Sequence, residues 1–216
     1  MDERVELLRS IKSQRIVVPD LRSIFLDWPG IYNDSINQHY GALTEMVNKR
    51  LEGLYTNADM LRKLKDADFA YFTSLWWPQA PFEELQVLAF LVIWLFTWDD
   101  EIDEPTGAVA DDFDAAQRYR EETSNFVELC LGLAVQAHNS APRNLIVRSF
   151  RDIADGLCAF YNLKQRRRFL EEISRFMEMS QREQEFKLSG TLPSLAEYWE
   201  FRLGTSAVYV GLAAME

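Results

Sequence analysis

Apolar residues recur every three to four positions through most of the chain, which predicts helices rather than strands. Residues 1–32 are the exception, because the turn-forming groups Pro19-Asp20 and Trp28-Pro29-Gly30 interrupt them, and we expect an irregular segment there. From Asn33 onwards the helical period continues to the end. The pattern therefore predicts an all-α fold in a single domain over residues 1–216.

The predicted helices are separated by short breaks that contain proline or glycine. They cover residues 33–54, 57–64, 69–77, 81–104, 111–137, 142–161, 163–188, 194–203 and 205–216. Asn33, Asp34 or Ser35 can cap the first of them, and Ser194 with Glu197 has the sequence of a capping box. Gly204 is expected to interrupt the last helical stretch.

The most informative stretch is the apolar helix 90–104, FLVIWLFTWDDEIDE, in which five of the last six residues are acidic. Asp99 and Asp103 are four positions apart, so on a helix their side chains share one face. Phe96 and Val92 lie on the same face, further towards the N-terminus. Asp100 is rotated away from both. One helical stripe therefore changes from apolar to doubly negative.

This placement costs free energy, because carboxylates at a helix C-terminus meet the negative end of the helix dipole. No Lys or Arg lies between Leu95 and Asp114 to offset the charge. A divalent cation is the simplest compensation, and Mg2+ prefers oxygen ligands of this kind. The alternative is a solvated acidic helix end that binds nothing. The spacing of the acids does not fit a calcium-binding EF-hand loop.

Composition narrows the classes of partner and compartment. A net charge of −11 over 216 residues argues against binding nucleic acid or anionic membranes. Cys130 and Cys158 lie in helical patterns as buried thiols, which fits a reducing compartment such as the cytoplasm. We expect no signal peptide and no membrane span, since the longest apolar run, 85–98, is too short. His39 and His138 have no partners for a zinc site.

Several motifs in order resemble one enzyme family. These are Trp76-Trp77-Pro78, the helix start Pro81-Phe82-Glu83-Glu84, and Trp94-Leu95-Phe96 followed by the Asp-Asp-x-x-Asp pattern at 99–103. Together they resemble class I terpene cyclases, in the branch of fungal and bacterial sesquiterpene synthases. The resemblance implies the helical bundle of the class I terpenoid synthases, here in truncated form.

The resemblance also implies roles for particular residues. Asp99 and Asp103 would be metal ligands for Mg2+, with Asp100 in an outer role. Val92 and Phe96 would line the pocket of a farnesyl diphosphate substrate, where the ring of Phe96 could stabilise a carbocation. In the segment 198–206, Arg202 matches the arginine that senses diphosphate, Thr205 the linker and Ser206 the effector.

One departure from the family pattern is that no second metal motif, with Asn, Ser and Glu, is found before Glu216. The chain therefore resembles the N-terminal part of a cyclase. We expect these 216 residues alone to be inactive, to expose apolar surface and to associate, with a homodimer as the simplest form. A trans-prenyltransferase and a catalytically inactive helical scaffold stay open as alternatives.

Overall fold

The computed structural model describes residues 3–15, 17–20, 23, 36–134 and 141–214. Within these ranges it has ten α-helices and no strand, so the all-α prediction is confirmed. The helices are α1 (Glu3–Ile11), α2 (Tyr40–Leu54), α3 (Ala58–Asp66), α4 (Phe69–Trp76), α5 (Phe82–Asp103), α6 (Phe113–Cys130), α7 (Leu145–Phe160), α8 (Leu163–Ser189), α9 (Leu195–Thr205) and α10 (Val208–Ala213).

Local side chains account for most helix boundaries. Asn57, Asn144 and Asn162 each accept hydrogen bonds from backbone N–H groups in the first turn of α3, α7 and α8. Ser194 and Glu197 form the predicted capping box of α9. Gly190 ends α8 with a φ of 68°, a left-handed conformation that glycine adopts without strain. The sequence therefore determines these boundaries locally.

The N-terminal region differs from the prediction in its first part. The segment expected to be irregular begins with α1, because Val5, Leu8 and Ile11 recur every three residues along a helical face. These three side chains remain exposed. The Trp28-Pro29-Gly30 turn and the candidate caps in 33–35 lie outside the described residues.

Two of the predicted helices are much shorter in the structure. The helix expected to begin near Asn33 begins at Tyr40, after buried Asn37, whose amide donates to the carbonyls of Trp77 and Ala80 at 2.9 Å each. The helix expected to reach residue 137 ends at Cys130, because Gly132 turns the chain with a φ of 69°. His138 lies outside the described residues.

Helix α5 is the centre of the bundle and packs against α2, α4, α7 and α8. Trp94 and Trp98 are fully buried, and each indole N–H has a partner. Trp94 donates to the carbonyl of Ile146 and Trp98 to the hydroxyl of Thr123, both at 3.0 Å. The core therefore fixes the rotation of α5, and with it the face on which its terminal acids lie.

Among the described helices, none is both long and apolar enough to cross a membrane.

Candidate functional site

A cavity of about 200 Å³ opens beside the acidic end of α5. It is lined by Phe72, Trp76, Trp77, Val92, Leu95, Phe96, Asp99, Phe176, Arg202, Thr205, Ser206, Ala207 and Gly211. Helices α4, α5 and α8 and the segment around the break between α9 and α10 supply these residues. The structure therefore brings two groups of predicted site residues to one cavity. Val92, Phe96 and Asp99 lie on α5, and Arg202, Thr205 and Ser206 lie about a hundred positions later in the sequence.

The wall of this cavity is aromatic. The ring centroid of Phe96 lies 5.6 Å from that of Phe69 and 5.9 Å from that of Phe72. Phe72 in turn stacks on Trp76 at 5.5 Å. Phe96 stays 50% exposed although it lies in the middle of a buried helix, since it faces the cavity opening. A large exposed ring at this position gives the cavity aromatic surface that a ligand can contact.

Asp99 lies at the junction of the apolar wall and the charged end of α5. Partial burial, together with the neighbouring carboxylates of Asp103 and Glu183, raises the pKa of Asp99 to about 8. Asp103, one turn further on, lines an adjacent cavity. Asp100 lies off both cavities, where the positive charge of Lys63 opposes the rise in its pKa caused by desolvation. The surroundings of Asp99 therefore disfavour its ionised form.

Lysine and arginine side chains from other helices partly offset the negative charge of these acids. No Lys or Arg next to the acids in the sequence does so. Lys187 of α8 donates to the backbone carbonyl of Asp103 at 2.9 Å. Lys63 of α3 pairs with Glu104 at 3.4 Å. Desolvation raises the pKa of Asp103, and the positive charges of Lys187, Arg202 and Arg120 oppose that rise. Tertiary structure therefore surrounds the acidic end of α5 with bases from α3, α6, α8 and α9.

Glu183 is a member of the site that the sequence analysis missed. It lies on α8 and shares with Asp103 a second cavity of about 570 Å³. Burial raises its pKa, which a hydrogen bond with Thr205 opposes. The sequence did contain a signal for Glu183. It lies seven residues, or about two helical turns, after buried Phe176, and therefore on the inward side of an amphipathic helix.

The segment that carries Arg202 differs from the prediction in where it breaks. Gly204 does not interrupt α9, which continues to Thr205, and the break falls at Ser206 and Ala207. Ala207 has a φ of 54°, a left-handed conformation that costs a residue with a Cβ some free energy. Glycine at 204 has a packing reason instead, since a Cβ there would lie 2.2 Å from Cγ of Met179.

Arg202 and its neighbours are tied together at this break. The guanidinium of Arg202 donates to the hydroxyl of Thr205 at 3.3 Å. Thr205 is buried, whereas the side chains of Arg202 and Ser206 are exposed to the cavity and solvent. An exposed guanidinium beside a cavity that also holds Asp99 can bind an anionic group of a ligand.

The donor set suits a metal ion only if a ligand completes it. Among the described residues, no group of three or more His, Cys, Asp or Glu side chains could hold a metal by itself. Asp99 and Asp103 supply carboxylate oxygens, and the raised pKa of Asp99 shows that its ionised form is poorly stabilised by the protein alone. Hard cations that keep waters and share ligand phosphates need only one or two carboxylates of this kind.

Comparisons with known proteins agree with this arrangement. The family model "Terpene synthase family 2, C-terminal metal binding" matches residues 91–216, which include the acidic end of α5 and the Arg202 segment. The chain is 34% identical over its whole length to the sesquiterpene cyclase hepA of Aspergillus oryzae, of which it spans 59%. It is 29% identical over 138 residues to the terpene cyclase braA of Annulohypoxylon truncatum, of which it covers 34%.

Solved structures share the fold. α-Eudesmol synthase matches 93% of the chain with a TM-score of 0.67 and 21% identity, and 60% of that protein is covered. The SVS_A2 protein from ancestral sequence reconstruction matches 84% of the chain with a TM-score of 0.75 and 17% identity, and 54% of it is covered. With the aspartate-rich end of α5 and the family match over more than half of its residues, the chain belongs to the terpene synthase family.

Proposed function

We propose that this chain forms the part of a terpene cyclase that binds farnesyl diphosphate with Mg2+, ionises it and begins its cyclisation to a sesquiterpene. The observation that carries the proposal is that Asp99 lines an aromatic cavity that Arg202, Thr205 and Ser206 also line. The similarity to a protein named a sesquiterpene cyclase supports the choice of a substrate with fifteen carbons.

Asp99 and Asp103 would hold Mg2+, and Asp100 would act from outside the coordination shell. Bound Mg2+ supplies positive charge that makes diphosphate a better leaving group. Arg202 contributes a planar guanidinium that can bind two diphosphate oxygens at once. The carboxylates need no proton transfer for this step. Their role is to place positive charge where the leaving group develops negative charge.

The apolar wall takes part after the carbon–oxygen bond breaks. The electron pair leaves with diphosphate, and an allylic cation stays in the cavity. Phe96, Phe72 and Trp76 present aromatic surface to that cation, which their negative ring faces stabilise. Val92 and Leu95 are buried in the same wall and help to exclude water.

Calorimetric titration with inorganic diphosphate in the presence of Mg2+ tests the proposal without requiring turnover. Asp99→Asn should weaken Mg2+-dependent binding by at least about tenfold, since a metal ligand is lost. Asp111→Asn is the matched control, because Asp111 is an exposed acid in the loop after α5. Equal binding by the parent chain and Asp99→Asn, or no Mg2+ dependence in either, would overturn the assignment.

The expectation that residues 1–216 alone do not cyclise farnesyl diphosphate has its own test. The purified chain is incubated with the substrate and Mg2+, and the organic extract is separated by gas chromatography. We expect no cyclic sesquiterpene above the control without protein. A cyclic product would show that the described half of the site is sufficient.

A further inference from the structure

We propose that Lys187 and Gln184 of α8 are positioning residues that hold the last turn of α5, and the loop after it, in the geometry that metal binding needs. This inference rests on the proposed function, because it assigns the two side chains to the same site. Neither residue lines the aromatic cavity, so neither is assigned contact with a prenyl chain.

Lys187 holds the end of the helix itself. Its ammonium donates to the backbone carbonyl of Asp103 at 2.9 Å and to that of Ile102 at 3.4 Å. The last carbonyls of a helix have no partner within the helix and carry partial negative charge. A cation placed on them from another helix satisfies both requirements. It also fixes the backbone of Asp103, and therefore the position of its carboxylate relative to Asp99.

Gln184 lies on α8 one helical turn before Lys187. It holds the loop that follows α5. It is fully buried, and its amide nitrogen donates to the carbonyls of Val109 at 3.1 Å and Ala110 at 3.2 Å. Its amide oxygen accepts from the guanidinium of Arg120 at 2.8 Å. Both ends of this side chain are therefore used, and removing it would leave a buried guanidinium and two buried or half-buried carbonyls short of partners.

Arg120 anchors Gln184 from α6. It is only 6% exposed and also donates to the side chain of Gln117 at 2.7 Å. Burial lowers the pKa of Arg120 to about 10, and the charges of Glu185, Asp103 and Asp99 act in the opposite direction. The group thus remains a cation at neutral pH. Its charge therefore interacts with those acids while its guanidinium donates to Gln184.

The loop needs this support because it folds back tightly over the end of α5. The N–H of Val109 donates to the carbonyl of Glu101 at 3.1 Å, and that of Ala108 to the Glu101 carboxylate at 3.2 Å. Gly107 approaches so closely that a Cβ there would lie 2.5 Å from the carbonyl oxygens of Asp100 and Glu101. Loss of the contacts from α8 would let the loop and the last turn separate.

The consequence is a specific role for the second half of α8. Within five residues it supplies Glu183 to the site, Gln184 to the loop and Lys187 to the helix end. Side chains that orient metal ligands from outside the coordination shell change metal affinity by about 10- to 100-fold when they are removed. The pair is therefore expected to affect metal binding strongly without contacting the metal.

The experiment compares Lys187→Met, which keeps the length of the side chain but removes its charge, with Lys164→Met as the matched control. Lys164 is an exposed lysine in the first turn of the same helix. Hydrogen exchange of the chain in chelator reports the loop directly. We expect peptides covering 101–110 to exchange at least about tenfold faster in Lys187→Met, with the remainder of the bundle unchanged.

Calorimetry with Mg2+ and diphosphate gives the second measurement. Lys187→Met should bind about 10- to 100-fold more weakly, and Lys187→Arg, which keeps a cation on the carbonyls, should recover most of the affinity. Gln184→Leu should raise exchange over 108–112 in the same way, and it provides a second variant if Lys187→Met does not fold. Unchanged exchange in both variants would overturn the proposal.

The two measurements separate this inference from the proposed function. If exchange rises as expected and the affinity falls, both stand. If exchange rises while the parent chain shows no Mg2+-dependent binding of diphosphate, the proposed function fails and the role of α8 in holding the loop stands. If exchange rises while the affinity of Lys187→Met equals that of the control, the contact is only structural and the positioning role is refuted.

Discussion

The charge at Asp99 is the residue-scale feature from which the site's behaviour follows. The sequence already placed Asp99 and Asp103 on one face with Phe96, because four residues make about one helical turn. Periodicity does not show that Glu183 and Arg202, which are distant in sequence, come to the same place. Their effects on Asp99 depend on the packing of α8 against α5 and of α9 against α8, which only the structure provides.

The raised pKa of Asp99 predicts how the metal-free chain responds to pH. Its pKa is about 8 in the folded protein against 3.8 as the ordinary value, so the folded state binds the extra proton between these values. The free energy of unfolding should therefore fall as pH rises from about 4 to about 8. Asp99→Asn should flatten this slope. Thermal unfolding in chelator at a series of pH values measures this slope. A change of about 1 kcal/mol in the free energy of unfolding corresponds to roughly 2–4 °C in Tm.

The control for this pH dependence is Asp111→Asn, which should keep the slope of the parent chain. Asp100, Asp103 and Glu183 have raised pKa values as well, so a smaller slope should persist in Asp99→Asn. If Asp99→Asn keeps the full slope of the parent chain, the assignment of the extra proton to Asp99 is contradicted.

Arg202→Lys should weaken diphosphate binding while leaving the fold intact. Lysine keeps the positive charge but loses the planar pair of donors, so we expect roughly tenfold lower affinity by calorimetry in Mg2+. The melting temperature should be unchanged, because the Arg202 side chain is exposed. Arg182→Lys, at a site that pairs with Glu200, is the matched control. Equal affinity in Arg202→Lys and the parent would remove Arg202 from the site.

At the scale of elements, the sequence was sufficient at several helix boundaries that a local signal sets. Proline before α5, Ser194 before α9 and glycine after α8 each act within a few residues, and those boundaries agree with the prediction. The helix expected to begin at residue 142 begins instead at Leu145, where Asn144 caps α7. Gly204 was misinterpreted because its reason is not local. The glycine allows α9 to approach α8 closely, and the break that it was expected to cause lies at Ser206 and Ala207 instead.

Gly204→Ala tests this explanation. The added Cβ would lie 2.2 Å from Cγ and 2.6 Å from Cβ of Met179, neither of which is the free end of the side chain. Overpacking of this kind costs about 1–3 kcal/mol, measured by urea unfolding. Gly53→Ala in α2 is the control, because nothing lies within 4 Å of its added Cβ, and it should be neutral or stabilising. Equal stability of the two variants would show that α9 does not depend on close approach to Met179.

At the scale of the whole molecule, α9 and α10 leave several apolar side chains exposed. Leu195, Trp199, Leu203 and Leu212 on α9 and α10 are 71%, 55%, 49% and 48% exposed. Exposed apolar surface of this kind favours association. Self-association stays a prediction, and we expect these residues of α9 and α10 to form the contact. Sedimentation should show mass rising with concentration, and less so in Leu195→Gln combined with Trp199→Gln. A monomer at all concentrations would refute it.

The central claim is that the carboxylates and the aromatic cavity act on one molecule, with diphosphate at Asp99 and a prenyl chain against Phe96. The most direct measurement is calorimetric titration, in Mg2+, with an analogue of farnesyl diphosphate whose bridging oxygen is replaced by sulfur. The account predicts that it binds at least about tenfold more tightly than inorganic diphosphate, because burial of a few methylene groups at about 0.8 kcal/mol each suffices. Both affinities should require Mg2+ and Asp99. An analogue that binds no more tightly than diphosphate, or equally well to Asp99→Asn, would contradict the claim and favour a helical scaffold without catalytic function.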